Sequence, residues 1–135
     1  MTIELTILAW GCILGIAHIL IAVRFKTRQY GTKWNMGARD EELPPPRPVV
    51  GRLARAQANF FETFPILAAA ILIVTAASLE DRWTAIGAMI WLGARIVYLP
   101  LYAFGVPMLR TAVFIASLLG IAMILRPALV ASIGS

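Results

Sequence analysis

The sequence of 135 residues is 60% hydrophobic and only 14% charged, and its mean hydropathy is +0.81. Soluble domains average about 45–50% apolar and about 25% charged residues, so this composition excludes a water-soluble globular protein and is typical of a polytopic membrane protein. The net charge of +5 does not indicate nucleic-acid binding, because the basic residues flank apolar runs, where they encode orientation in a bilayer.

The first apolar run predicts a membrane span over residues 3–23, uncleaved because no Lys or Arg precedes its apolar core. It contains His18, which we interpret as a neutral histidine bonded to a neighbouring helix rather than as a functional ionisable group. A predicted cytoplasmic connection over residues 24–52 follows. It contains Pro44-Pro45-Pro46-Arg47-Pro48, which predicts stiff polyproline II, and it either covers a site or serves as a linker.

Three further spans are predicted over residues 53–78, 83–104 and 108–130. Pro65 lies within the second span and predicts a kink, because a proline frees a backbone carbonyl. The predicted fold class is therefore an all-α integral membrane protein, with residues 1–135 forming one four-transmembrane-helix bundle. Four spans enclose little interior of their own, so we expect the subunit to self-associate.

Positive charges are distributed unequally between the predicted loops. Arg82 and Arg126 lie on one side of the membrane. The other ten of the twelve basic residues lie on the opposite side: Arg24, Lys26, Arg28, Lys33, Arg39, Arg47, Arg52, Arg55, Arg95 and Arg110. Because cytoplasmic loops carry an excess of Lys and Arg, both termini are predicted to lie outside the cytoplasm.

Polar side chains recur at helical spacing near the cytoplasmic end of every predicted span, where they share one face of each helix. They are Arg24 and Arg28 on the first span, Arg55, Asn59 and Glu62 on the second, Arg95, Tyr98 and Tyr102 on the third, and Arg110 and Thr111 on the fourth. Because consecutive spans alternate in direction, we expect the four groups to converge at one membrane depth. Charges within a membrane are costly, so the convergence predicts a binding site.

These residue types favour an anionic or zwitterionic small molecule. Arginine binds carboxylates in a fork geometry, and a lone carboxylate such as Glu62 accepts from an ammonium group. A metal site would need clustered His, Cys or carboxylate ligands, which the sequence lacks. The alternative is a salt-bridge network of Arg55, Asn59, Glu62 and Arg95 that fixes register between subunits without a ligand. Against it, the arginines outnumber the carboxylate, and an excess of buried positive charge favours an anion.

The segment from Arg55 to Pro65, with its Arg-x-x-x-Asn-x-x-Glu pattern, resembles the signature of the MAPEG family, the membrane-associated proteins in eicosanoid and glutathione metabolism. A second similarity involves the family's third-span and fourth-span positions, here Gly93, Ala94, Arg95, Tyr98, Tyr102, Arg110 and Thr111. The first-loop segment from Gly37 to Glu41 looks like that of bacterial members. The resemblance covers residues 3–130.

The resemblance implies a homotrimer in a bacterial inner membrane, with glutathione bound as co-substrate between adjacent subunits near the cytoplasmic face. In relatives, glutathione is contacted by the residues that match Arg55, Asn59, Glu62, Tyr98 and Tyr102. Arg95 and Thr111 match further positions of that site, and Arg24 or Arg28 matches a first-span cation near the glutathione carboxylates. The residue that matches Arg110 lies by the sulfur and stabilises the thiolate, which makes Arg110 the expected catalytic residue.

Three functions remain open at this point. The first is a glutathione-dependent transferase or peroxidase whose lipophilic second substrate arrives from the bilayer. The second is binding of glutathione or another anion without turnover. The third, a transporter with Glu62 as a proton-coupled carboxylate, is disfavoured because cations surround Glu62. Two departures from some eukaryotic relatives are Ala58, where they carry Arg, and Thr111, where they carry Ser.

Overall fold

The computed structural model describes all 135 residues and contains five α-helices and no strand. Four of them, α1 (Ile3–Tyr30), α3 (Pro48–Ala76), α4 (Arg82–Ala103) and α5 (Pro107–Gly134), are each long and apolar enough to cross a membrane. The fifth, α2 (Thr32–Met36), is a short helix in the first connection. The predicted all-α integral membrane protein with four spanning helices is therefore confirmed.

The two helices that flank the first connection are longer than the predicted spans. α1 continues to Tyr30, beyond the predicted limit at Val23, and α3 begins at Pro48, several residues before the predicted start. Charged residues such as Arg24 end an apolar run without ending a helix, because Arg and Lys are good helix formers. α1 ends instead at Gly31, whose φ of +97° leaves the helical region.

The proline-rich segment is fastened to the end of α1. Tyr30 Oη donates to the carbonyl oxygen of Pro44 (2.9 Å), and Gln29 Nε2 donates to that of Pro45 (3.1 Å). The backbone N–H of Arg47 donates in turn to Gln29 Oε1 (2.8 Å). The segment lies against α1, and none of its residues lines the cavity between α3, α4 and α5 that is described below. This position favours a linker over a segment that covers a site.

The bundle core forms around Phe60 on α3, which is fully buried. Its ring centre lies 4.8 Å from that of His18, 5.2 Å from that of Phe64 and 5.9 Å from that of Trp91. His18 is buried, but neither ring nitrogen has a hydrogen-bond partner. The predicted hydrogen bond to a neighbouring helix is therefore wrong, because the imidazole packs against Phe60 instead.

Helices α4 and α5 form the most extensive contact in the bundle, and two glycines allow their close approach. A Cβ atom added to Gly87 would lie 2.6 Å from the carbonyl oxygen of Gly120, and one added to Gly120 would lie 2.5 Å from that of Gly87. Small residues at such crossings let helix backbones touch within a bilayer, where no hydrophobic force drives helices together. This crossing fixes the relative position of the two helices that carry most of the site.

We predict that Gly87→Ala lowers the melting temperature of the detergent-solubilised protein, because the added methyl group meets backbone that cannot move aside. Overpacking of this kind costs about 1–3 kcal/mol. Gly93→Ala on the same helix is the matched control, since nothing lies within 4 Å of its added Cβ. That substitution should be neutral or stabilising by up to about 1 kcal/mol. Equal melting temperatures for the two variants would contradict the role of the crossing.

Candidate functional site

A cavity of about 390 Å³ opens between α3, α4 and α5. Its volume falls within the range of about 300–1,000 Å³ that is usual for small-molecule sites. Its lining comprises Arg55, Ala58, Asn59, Glu62, Tyr98, Tyr102, Arg110, Thr111 and Phe114. Seven of the ten residues that the sequence predicts for the site therefore meet in one cavity, and three helices contribute them.

Helix α3 supplies one wall through its polar face. Arg55, Asn59 and Glu62 lie at i, i+4 and i+7, and all three line the cavity, as their spacing predicts. The opposite face of the helix carries fully buried apolar residues, among them Ala56 and Phe60. Because that face is held in the core, the polar face can point only toward the cavity.

Tyr102 on α4 contacts two arginines from different helices. Arg55 Nε donates to Tyr102 Oη at 3.2 Å, and the guanidinium carbon of Arg110 lies 4.4 Å from the centre of the Tyr102 ring. Tyr98 packs edge-on against Tyr102, with ring centres 5.5 Å apart. A cation over an aromatic face is attracted by the ring quadrupole, so Tyr102 holds both guanidinium groups at the cavity without neutralising them.

Arg95 does not line the cavity, although its sequence position predicts a ligand contact. Its side chain is fully buried behind the wall, where Nη1 donates to Asn59 Oδ1 at 2.8 Å. Its guanidinium carbon lies 4.5 Å from the centre of the Tyr98 ring. Arg95 therefore reaches the cavity only through the side chains of its neighbours.

Arg24 and Arg28 lie on a separate cavity of about 560 Å³ at the end of α1, together with Thr27 and Asn35. Helix α1 packs on α3 and α4 but makes no contact with α5. Its cations consequently do not meet Arg110 within one chain. Within a single subunit, the cavity therefore joins the predicted groups of α3, α4 and α5 but not that of α1.

The charges of the cavity between α3, α4 and α5 do not neutralise one another. Arg55 and Arg110 face a single carboxylate, Glu62, and no ion pair within 4 Å joins them, since the ion pair of the chain links Arg126 to Asp81 at 3.2 Å. A salt-bridge network among the site residues is therefore not formed within one subunit. The cavity carries one uncompensated positive charge, which favours an anionic ligand.

Two further features concern the α5 side of the cavity. Thr111 Oγ1 donates to the carbonyl oxygen of Pro107 at 3.1 Å, so its hydroxyl oxygen is left to accept a hydrogen bond from a ligand. Phe114 is a lining residue that sequence reasoning missed. Its position four residues after Arg110 places both on one helix face, and this spacing was the available signal.

A comparison with models of protein families finds that the model of the MAPEG family matches residues 7–130, which is nearly the whole chain. No curated protein matches the chain.

We predict that Tyr102→Phe weakens anion binding in the cavity several-fold, because it removes the hydrogen bond to Arg55, while the ring that carries Arg110 remains. Tyr102→Leu should weaken binding further, since it removes the ring as well, and one cation–π contact contributes about 0.5–2 kcal/mol. Calorimetric titration of the solubilised protein measures both. Equal affinities in the wild type and in Tyr102→Leu would show that Tyr102 does not hold the arginines for a ligand.

Proposed function

The chain belongs to the MAPEG family, and from this membership and the cavity residues we propose that it is a glutathione-dependent membrane transferase or peroxidase that acts on lipophilic electrophiles. The observation that carries the proposal is the meeting of Arg55, Asn59, Glu62, Tyr102 and Arg110 around one cavity. MAPEG proteins include glutathione transferases and peroxidases, and these are the residues that match the family's glutathione site.

The charge of the cavity supports glutathione as the ligand. Glutathione with a protonated thiol carries two carboxylates and one ammonium group, so its net charge is −1. The cavity offers the guanidinium of Arg55 to a carboxylate and the carboxylate of Glu62 to the ammonium. Its surplus of one positive charge, from two arginines against one glutamate, complements the ligand.

In the proposed reaction Arg110 stabilises the thiolate of the bound glutathione. A free thiol titrates near pH 8.5, so little thiolate exists at pH 7. A guanidinium about 4 Å from the sulfur contributes about 4 kcal/mol at an effective dielectric of 20, from which desolvation subtracts. Lowering the thiol pKa by two units requires only about 2.7 kcal/mol. One arginine is therefore sufficient.

Conjugation and peroxide reduction both begin from this thiolate. In conjugation the sulfur lone pair forms a bond to the electrophilic carbon, and the leaving group departs with its electron pair. In peroxide reduction the sulfur attacks the terminal oxygen of the O–O bond and becomes a glutathione sulfenic acid, while the other oxygen leaves as an alkoxide that takes a proton from water to give the alcohol. A second glutathione then reduces the sulfenic acid, which yields glutathione disulfide and water. Met108 and Leu109, beside Arg110 at the start of α5, are 85% and 54% exposed, which supports arrival of a lipophilic substrate from the bilayer.

We further infer that the functional unit is a homotrimer. Arg24 and Arg28 of one subunit would then complete the glutathione site of the next, which accounts for their position on a separate cavity. The excess of basic residues in the first and third connections supports a site near the cytoplasmic face, with both termini outside. A bacterial inner membrane is the proposed location.

Binding without turnover is the alternative function. The stacking of Arg110 on Tyr102 favours it, because a guanidinium that stays 4.4 Å above the ring centre is less free to follow a sulfur atom. Turnover with a model electrophile separates the two functions, since a binding protein would show affinity for glutathione but no conjugate.

We predict that millimolar glutathione raises the melting temperature of the detergent-solubilised trimer, because a ligand that binds only the folded state stabilises it. At a hundred times the dissociation constant the gain is about 2.7 kcal/mol. A tripeptide without charged side chains is the control ligand. An unchanged melting temperature would contradict both the enzyme and the binding protein.

We predict that Arg110→Ala lowers the kcat of conjugation at pH 7 by more than about tenfold while glutathione still binds. The thiol of bound glutathione should then titrate near its free pKa of about 8.5. The wild-type rate should level off about two pH units below that value, whereas the residual rate of the variant should keep rising to about pH 8.5. The measurement is kcat against pH with a model electrophile. Arg126→Ala on the same helix is the control, since its exposed ion pair with Asp81 is worth less than about 1 kcal/mol. Arg126 does not line the cavity, and it lies sixteen residues after Arg110 on α5.

We predict that Glu62→Gln weakens glutathione binding about tenfold, because the amide loses the charge that attracts the ammonium group. The affinity for a glutathione analogue that lacks the ammonium should change little. Calorimetric titration with both ligands makes the comparison, and an equal loss for the two would contradict the assignment of Glu62 to the ammonium.

A further inference from the structure

The hydrogen bond between Arg95 and Asn59 joins α4 to α3 directly behind the cavity. Arg95 is fully buried, and its Nη1 lies 2.8 Å from Asn59 Oδ1. We propose that Arg95 is a positioning residue that holds the side-chain amide of Asn59 with its two N–H donors toward the cavity, so that Asn59 selects an oxygen acceptor of the ligand, a carboxylate or an amide carbonyl. The inference deepens the proposed function and rests on it for the identity of the ligand.

The chemistry of the two side chains determines the orientation. An asparagine amide has one oxygen acceptor and one nitrogen with two donors, and the two ends have nearly the same shape. Arginine has only donors, so the oxygen of Asn59 must face Arg95. The amide nitrogen of Asn59 makes no hydrogen bond within the chain, and Asn59 lines the cavity. Its donors are therefore left for a ligand.

The surroundings of Arg95 satisfy its buried charge only in part. Its Nε and Nη2 atoms are buried without a partner, and no carboxylate lies within 4 Å. The rings of Tyr98 and Phe60, at 4.5 Å and 5.3 Å from the guanidinium carbon, take the place of a counter-ion. A buried charge in such a setting usually costs stability relative to an apolar side chain. An apolar residue at position 95 could not donate the charged hydrogen bond that Arg95 makes to Asn59.

A double-mutant cycle tests whether Arg95 acts through Asn59. We expect Arg95→Met and Asn59→Ala each to weaken glutathione binding about tenfold, measured by calorimetry, and the double variant to be no weaker than the weaker single one. Arg95→Lys, which retains one charged donor, should recover part of the loss. Multiplication of the two single effects to about a hundredfold would overturn the proposal.

Arg52→Met is the matched control for loss of an arginine. Arg52 donates from Nε to the carbonyl oxygen of Ala103 at 2.9 Å, so it also joins α3 to α4, but it does not line the cavity. We expect its glutathione affinity to stay within about twofold of the wild type. A tenfold loss in this control would mean that any arginine between the two helices has the effect, which would overturn the specific role of Arg95.

Asn59→Asp separates stability from recognition. The new carboxylate supplies the counter-ion that Arg95 lacks, so the melting temperature should rise or stay unchanged. The same change replaces two donors toward the ligand with an anionic acceptor, so glutathione affinity should fall more than in Asn59→Ala. A variant that is equally stable and binds glutathione as well as the wild type would overturn the proposal.

A measurement without ligand distinguishes failure of this inference from failure of the proposed function. The chain contains two asparagines, Asn35 and Asn59, so labelling asparagine with ¹⁵N gives two side-chain amide signals in an NMR spectrum. Arg95→Met should shift or broaden the Asn59 signal and leave that of Asn35, which donates to Thr27 Oγ1 at 3.0 Å, unchanged. An unchanged Asn59 signal would overturn the positioning role. A changed signal in a protein that binds no glutathione would uphold that role and overturn the proposed function.

Discussion

Aromatic rings, instead of carboxylates, hold the arginines around the cavity. Arg110 lies 4.4 Å from the centre of the Tyr102 ring, and Arg95 lies 4.5 Å from that of Tyr98. A ring attracts a cation without removing its charge and leaves its N–H groups free. A salt bridge would have stabilised the helices against one another but cancelled the field that attracts an anion. The cavity is electropositive because tyrosine rings, and not carboxylates, contact these arginines.

This arrangement depends on packing that has no polar component. The arginines can occupy an apolar bundle only if the helices that carry their aromatic partners are held in place by other contacts. The crossing of Gly87 and Gly120 holds α4 on α5, and the rings around Phe60 hold α3 against α1 and α4. The glycines and the aromatic core thus fix the positions of Tyr98 and Tyr102, and these in turn fix the arginines.

The sequence predicts the four helices, their membrane character and most of the cavity wall, because apolar length and helical spacing are local properties. Arg55, Asn59 and Glu62 had to share a face once α3 was a helix. The sequence could not predict that α1 continues beyond its charged residues and ends only at Gly31. Nor could it predict that Arg95 turns inward to Asn59 or that His18 packs on Phe60, because these depend on which helices become neighbours.

The unpaired polar groups around the cavity lower the stability of the fold, and the same groups are available to a ligand. Arg95 keeps two buried nitrogen atoms without partners, and the cavity keeps an unpaired positive charge. Both features cost stability in the empty protein. In the proposed complex, an anion with acceptor oxygens would relieve the charge and engage Asn59. Binding free energy is therefore larger than it would be in a cavity already neutralised by its own residues. The stability that this bundle lacks without a ligand would then be the origin of its proposed affinity for one.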